Sequence, residues 1–186
     1  MNGPRLILLN GAPGLGKSTL ARLYANRHPM TFCCDVDVLR SLVGAWGENR
    51  GQAGLLARAF AVAGMRAHLL GGHSVIVPQY LGRIDWVLEL DHLAHEVAVP
   101  FVEVVLVAGD EDAVRRFQVR ARAPRTREQA VAAAGLGSAD PEGELRAMGA
   151  RLAEVVAARP GTRPVPSTEG EIEITYRALV QAVDER

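Results

Sequence analysis

Gly11-Ala12-Pro13-Gly14-Leu15-Gly16-Lys17-Ser18 is the stretch of this 186-residue chain whose reading decides the fold. Before it, Leu6 to Leu9 is a short, continuously apolar run closed by Asn10-Gly11, the pattern of a strand buried on both faces. After it, Lys17 to Arg27 changes to helical spacing, with Leu20, Leu23 and Tyr24 on one stripe. The eight residues satisfy G-x-x-x-x-G-K-[ST] between a predicted strand and a predicted helix, the context this motif requires. Its glycines let the backbone curl so that successive N–H groups face one anion, and the helix starting there adds the positive end of its dipole. Lys17 suits β- and γ-phosphate oxygens as a mobile point charge, and the Ser18 hydroxyl suits Mg²⁺. Residues 11 to 19, including Thr19, are therefore the expected contacts of a nucleoside triphosphate.

Of the 21 basic residues, 20 are arginine, and Lys17 is the one lysine. A bias toward arginine accounts for the rest of the chain but not for the residue kept at this position.

Outward from the motif, Met30 to Cys34, Ser74 to Val77, Phe101 to Val107 and, more weakly, Pro164 to Pro166 read as strands. Helices are expected just after Asp37, with Val38, Leu39, Leu42 and Val43 inward, and then over Leu55 to Leu70, Arg83 to Val97 and Asp110 to Ala121. Two more are expected over Asp140 to about Ala158 and Ile172 to Val183. Asp140-Pro141 is a good helix start, and Gly44 to Gly54, with four glycines, reads as a loop. Strands alternating with helices imply a parallel sheet covered on both faces.

Length and the lack of a dividing linker favour one domain over residues 1–186, with Gly135 to Asp140 the sole linker-like stretch. The 21 acidic residues balance the basic ones, which argues against a strongly basic nucleic-acid binder. No unbroken apolar run approaches the roughly 18 residues of a spanning helix, so no membrane attachment is expected. The only cysteines, Cys33 and Cys34, are sequence neighbours and read as strand packing, which fits a cytoplasmic protein. His92 and His95 lack further ligands at a recognisable metal spacing.

The chain resembles the P-loop kinases of small molecules and nucleic-acid ends: adenylylsulfate kinase, gluconate kinase, chloramphenicol phosphotransferase and the 5′-kinase domain of polynucleotide kinase. Within that group it looks most like bacterial kinase-like proteins labelled AAA-family ATPases. The resemblance spans nearly the whole chain, with its specific motifs in the first 40 residues. It implies a three-layer α/β P-loop NTPase fold. The sheet would be five-stranded and parallel in the order 2-3-1-4-5, as in nucleoside monophosphate kinases, with an arginine-rich lid near residues 115–135. It also implies ATP and Mg²⁺, a small-molecule hydroxyl acceptor, and a monomer or homodimer.

The second motif is Asp35-Val36-Asp37-Val38-Leu39-Arg40, comparable to the D-x-D-x-x-R of adenylylsulfate kinase. By resemblance Asp37 takes the proton of the attacking hydroxyl, Arg40 holds the acceptor and Asp35 assists near the metal. A hydroxyl attacking a γ-phosphate needs such a carboxylate in any case. The plainer alternative is a helix-capping Asp and an Arg40 that pairs with it. After the third strand the chain reads Val77-Pro78-Gln79-Tyr80 where several relatives carry an acid, so a Walker-B carboxylate is missing. Gln79 is a candidate acceptor contact there, with Tyr80 and Arg83 weaker ones. Arg115, Arg116, Arg120, Arg122, Arg125 and Arg127 form the arginine cluster, in which Arg116 and Arg120 share a helix face and lead as phosphate contacts. Thr168, after the fifth strand, aligns with the adenine-lining segment of related kinases. The other readings are a 5′-polynucleotide kinase and a non-kinase ATPase switch. No N-K-x-D guanine signature is present.

Overall fold

The computed structural model describes residues 3–122 and 140–185. Its centre is β1 (Leu6–Gly11), a strand buried along its whole length. It pairs in parallel with β3 (Val75–Pro78) on one side and β4 (Phe101–Val107) on the other. The short β2 (Phe32–Cys33) adds to β3, and β5 (Arg163–Pro166) adds to β4. The result is one parallel sheet in the order β2-β3-β1-β4-β5, the order that the resemblance implies.

Two-residue alternation divides the core between the two faces of the sheet. Leu6 and Leu8 of β1, with Val75 and Val77 of β3, pack under α3 (Arg50–Leu70) and α4 (Ile84–Glu96). Ile7, Leu9 and Ile76 point the other way, onto α1 (Lys17–Arg27) and the last helix, α7 (Ile172–Asp184). α2 (Val36–Ser41) follows β2, α5 (Asp110–Arg122) follows β4, and α6 (Pro141–Ala157) precedes β5. Asp140 caps α6 by accepting from Gly143 N–H at 2.8 Å, with Pro141 in the first turn, as its sequence predicts.

Three expectations are corrected. α3 begins at Arg50, so Gly51 and Gly54 are helical; the i, i+4 stripe Ala53, Ala57, Ala61, Met65 and Leu69 carries the helix through them into the core. α2 ends at Ser41, which leaves Leu42 exposed rather than inward. The strand expected over Met30 to Cys34 shrinks to two residues at the edge of the sheet. By length and composition alone α3 could cross a membrane, yet Arg58 and Arg66 interrupt its outer surface and its alanine stripe packs on the sheet. The linker-like residues 135–139 lie outside the described residues.

Arg159, just past α6, ties three elements together below the sheet. It donates from Nε to Glu103 of β4 at 2.8 Å and from a terminal nitrogen to Asp91 of α4 at 2.7 Å. The Glu103 side chain is only 10% exposed, so removing its cation strands a nearly buried carboxylate. Arg159→Ala is expected to lower unfolding free energy by about 2–3 kcal/mol in urea denaturation, and Arg159→Lys to recover only part of it.

Candidate active site

The loop between β1 and α1 is shaped by close contact as much as by glycine freedom. Gly11 adopts φ +148°, and a Cβ there would stand 3.0 Å from Leu106 Cβ and 3.1 Å from the Leu106 carbonyl oxygen. Gly14 (φ +97°) would bring a Cβ to 3.0 Å from the backbone nitrogen of Phe117. The loop therefore lies directly on the backbone of β4 and α5. Gly16 opens α1 in a left-handed conformation with no side-chain cap and no acid in the first turn. The first N–H groups of α1 are thereby left for an anion at the motif. Lys17 folds back over the curl, its ammonium donating to the carbonyls of Gly11 (2.8 Å) and Ala12 (3.0 Å).

On the β4–β5 side a cleft of about 300 Å³ runs from Gly14, Gly16 and Thr19 to Arg116, Thr168 and Ile172. Arg116 is half-buried in its wall and donates to the Ser167 hydroxyl (3.1 Å) and carbonyl (2.8 Å). Ser167 in turn donates to the Leu15 carbonyl at 3.1 Å. Arg116 thus braces the loop from α5 through Ser167, while its Nε–H is buried beside the cleft with no hydrogen-bond partner among the described residues. Thr168 lines the same space, as does Ser167 of the same Val165-Pro166-Ser167-Thr168 segment. Arg115 is not in the lining but pairs with Asp112 at 2.7 Å and with Glu169, which lines the cleft, at 2.6 Å. Arg120 and Arg122 are on α5, but the Arg120 side chain is outside what the structure describes, as are Arg125, Arg127 and residues 123–135 of the expected lid.

On the β2–β3 side the two acids separate by role. Asp35 is buried and caps α2, accepting from Asp37 N–H at 3.2 Å. Asp37 is half-exposed and pairs with Arg40 at 2.9 Å, so the plain alternative of a capping acid and a paired arginine accounts for both contacts. Arg22 reaches Asp35 at 4.0 Å. Ser18 and Arg22 are four apart on α1, so Asp35 looks onto the same helix face as the Ser18 hydroxyl. Among the described residues no three acids, histidines or cysteines gather as a ready metal cage. A magnesium ion would fit here through Ser18, phosphate oxygens and water, with Asp35 beyond them.

The guanidinium of Arg40 lies 5.3 Å from the ring centre of Trp46, which is buried outside both core clusters. Among the described residues, Arg40 Nε, Trp46 Nε1 and Gln79 Oε1 are buried without hydrogen-bond partners. Gln79 leaves β3 at this edge of the sheet, anchored by its N–H to the Leu9 carbonyl at 3.2 Å. Tyr80 instead donates to the Met148 carbonyl of α6 at 3.0 Å, and Arg83 is exposed and pairs with Asp85 at 2.8 Å. These two are brought to the protein's supporting contacts and its surface rather than to Asp37.

Burial pushes the Cys33 thiol up to about 11 and Cys34 up to about 12, and the negative charge of Asp35 adds to both. Neither forms thiolate near neutral pH, so alkylation by iodoacetamide at pH 7.5 should be far slower than that of free cysteine and rise only in strongly alkaline buffer. Gly14→Ala, which forces a side chain against the backbone of α5, is expected to cost about 1–3 kcal/mol in thermal melts and to weaken ATP binding together with stability.

A sequence search of curated proteins finds no match. Solved structures are similar across nearly the whole chain. A gluconokinase from Sinorhizobium meliloti 1021 superposes with a TM-score of 0.60 at 18% identity, covering 97% of this chain and 92% of that one. A chain of the Pnkp1/Rnl/Hen1 RNA repair complex gives 0.64 at 21%, covering 92% of this chain and 50% of that one. The Deinococcus radiodurans tunicamycin resistance protein gives 0.58 at 14%, covering 98% and 97%. At these identities the likeness is one of fold, and the fold is kinase-like. The model of the AAA domain family matches residues 6–139, from the first residue of β1 to beyond α5. On that match, and with its phosphate loop built as described, the chain belongs to the AAA domain family of P-loop proteins.

Proposed function

We propose that this protein is an ATP-dependent phosphotransferase that moves the γ-phosphate to a hydroxyl of a small-molecule acceptor. The observation that carries the reading is the meeting, at one edge of the sheet, of an uncapped glycine cradle with Lys17 over it and a carboxylate pair one strand pair away. In this reading the cleft between Arg116 and Thr168 takes the nucleoside and residues 11 to 19 take the phosphates. Lys17 exchanges its loop carbonyls for β- and γ-phosphate oxygens. Bound magnesium would supply charge neutralisation between the β- and γ-phosphates, held from the protein by Ser18 with Asp35 behind.

The acceptor oxygen forms a bond to the γ-phosphorus as the bridging β–γ P–O bond breaks and ADP departs. The proton of the hydroxyl goes to Asp37. Arg40, already beside Asp37, holds the acceptor, and Gln79 offers it an amide oxygen from the next strand. Arg116 keeps the loop and nucleoside cleft in register, and Arg120 is the remaining candidate to meet developing phosphate charge.

Asp37→Asn is expected to reduce transfer about 10²–10⁴-fold while ATP affinity changes little. The measurement pairs calorimetry with ATP and Mg²⁺ against ADP formation stimulated by a fractionated metabolite extract. A collapse of ATP affinity with normal turnover per bound nucleotide would reject Asp37 as base. Lys17→Ala should remove ATP binding itself.

A 5′-end kinase acting on nucleic acid is the second reading, supported by the likeness to a chain of an RNA repair complex. Its balanced charge weighs against a phosphate-backbone track. Oligonucleotide phosphorylation that falls steeply with added salt would favour this version, and none at low salt would remove it.

A further inference from the structure

Asn10, the penultimate residue of β1, is 4% exposed, and its amide oxygen and nitrogen both bond across to the loop that follows β3. Its Oδ1 accepts from Gly11 N–H at 2.8 Å and from Leu81 N–H at 2.9 Å, while Nδ2 donates to the Leu81 carbonyl at 3.1 Å. The β1–β3 ladder ends at Leu9–Pro78, with one further bond from Gln79 N–H to Leu9. Beyond that point the backbones part, and the Asn10 side chain stands in for the missing strand, meeting both polar groups of the Leu81 peptide backbone. One amide thus holds two objects at once: the Asn10–Gly11 peptide that opens the phosphate loop, adjacent to the Gly11 carbonyl that receives Lys17, and the segment carrying Gln79.

We propose that Asn10 is a positioning residue that transmits occupancy of the phosphate loop to residues 79–82 on the acceptor side. The inference rests on the kinase reading above. When phosphates draw Lys17 off the Gly11 carbonyl, the change falls on the Gly11–Ala12 peptide, next to the Asn10–Gly11 peptide whose N–H shares an acceptor atom with Leu81 N–H. A shift of the loop is therefore passed to the Gln79 segment through a buried side chain that bonds both, rather than through solvent-exposed chain. Only an amide serves: it needs an acceptor for two N–H groups and a donor for one carbonyl in a single planar group. Asn10→Asp keeps the acceptor that Gly11 N–H and Leu81 N–H share but sets a carboxylate oxygen against the Leu81 carbonyl, so one of the two bonds to the acceptor loop becomes a repulsion while the bond to Gly11 stays.

The test is amide hydrogen exchange of the peptide spanning residues 79–82, with and without ATP and Mg²⁺. In the wild type, nucleotide should slow exchange there at least fivefold. In Asn10→Asp at pH 8 the slowing should fall below twofold while calorimetric ATP affinity stays within threefold. The variant's ADP formation relative to wild type should recover as pH falls, because a protonated carboxyl again donates to Leu81, a profile that general loss of stability at alkaline and acid pH alike would not produce. Should Asn10→Asp fail to fold, Asn10→Ser, one atom too short to reach Leu81, replaces it with the same expected exchange pattern. If the variant binds ATP and still shows the full wild-type slowing, Asn10 is a structural bond only and the proposal is wrong. If wild type binds no ATP, the kinase reading itself fails, a result separate from any behaviour of the variant.

Discussion

The arrangement depends on how closely the backbone of the phosphate loop lies on its neighbours. Gly11 rests on Leu106 and Gly14 on the nitrogen of Phe117, at separations that leave no room for a methyl group. A loop that bends through three positive-φ glycines, Gly11, Gly14 and Gly16, would be floppy in isolation, because glycine loses more freedom on ordering than any other residue. Here β4 and α5 supply the missing restraint from outside, and β1, buried along its length, supplies it from behind. The donors of the loop are thus ordered before any ligand arrives, the condition under which fixed dipoles contribute most to charge stabilisation.

Around that loop the two sides of the edge are built differently. Toward β5 the contacts form a continuous chain, Arg116 to Ser167 to the Leu15 carbonyl, and the adjoining cleft mixes apolar walls from Leu15, Leu20 and Ile172 with the hydroxyls of Thr19, Ser167 and Thr168. Toward β2 more polar groups are left unsettled: among the described residues Arg40, Trp46, Gln79 and Trp86 each retain a buried atom with no hydrogen-bond partner, against Arg116 alone on the β5 side. Buried polar atoms are ordinarily satisfied, so both sides of the loop carry groups that the described residues leave unmet.

The succession of strands and helices was readable because each strand is short and apolar and each helix carries its own stripe, and the phosphate motif is local in sequence. Where reading failed, the cause was physical and particular. Gly51 and Gly54 look like loop residues until the alanines between and beyond them are seen packed on the sheet. Tyr80 and Arg83 are polar residues in a suggestive place, yet their orientation is set by α6 and Asp85, partners the local sequence does not reveal. Asn10, Arg22 and the bond from Ser167 to the phosphate loop were missed for the complementary reason. Each links distant parts of the chain, and no spacing rule registers a contact between positions 10 and 81 or 15 and 167. The division of labour between Asp35 and Asp37 likewise needed the helix start itself, since both acids fit either role on paper.

The register of the sheet also bears on how the molecule comes into being. β1 is made first, but Leu6 pairs only with Val75 and Phe101. During synthesis this buried strand must therefore wait, unpaired, until Val75 to Pro78 arrive on one side and Phe101 to Val107 on the other. Parallel pairing at such separations is slow, because chain closure is costly before any contact rewards it. A nascent chain with Leu6 to Leu9 uncovered for that interval is a natural client for molecular chaperones, and its yield on expression should depend on them more than the stability of the finished protein would suggest.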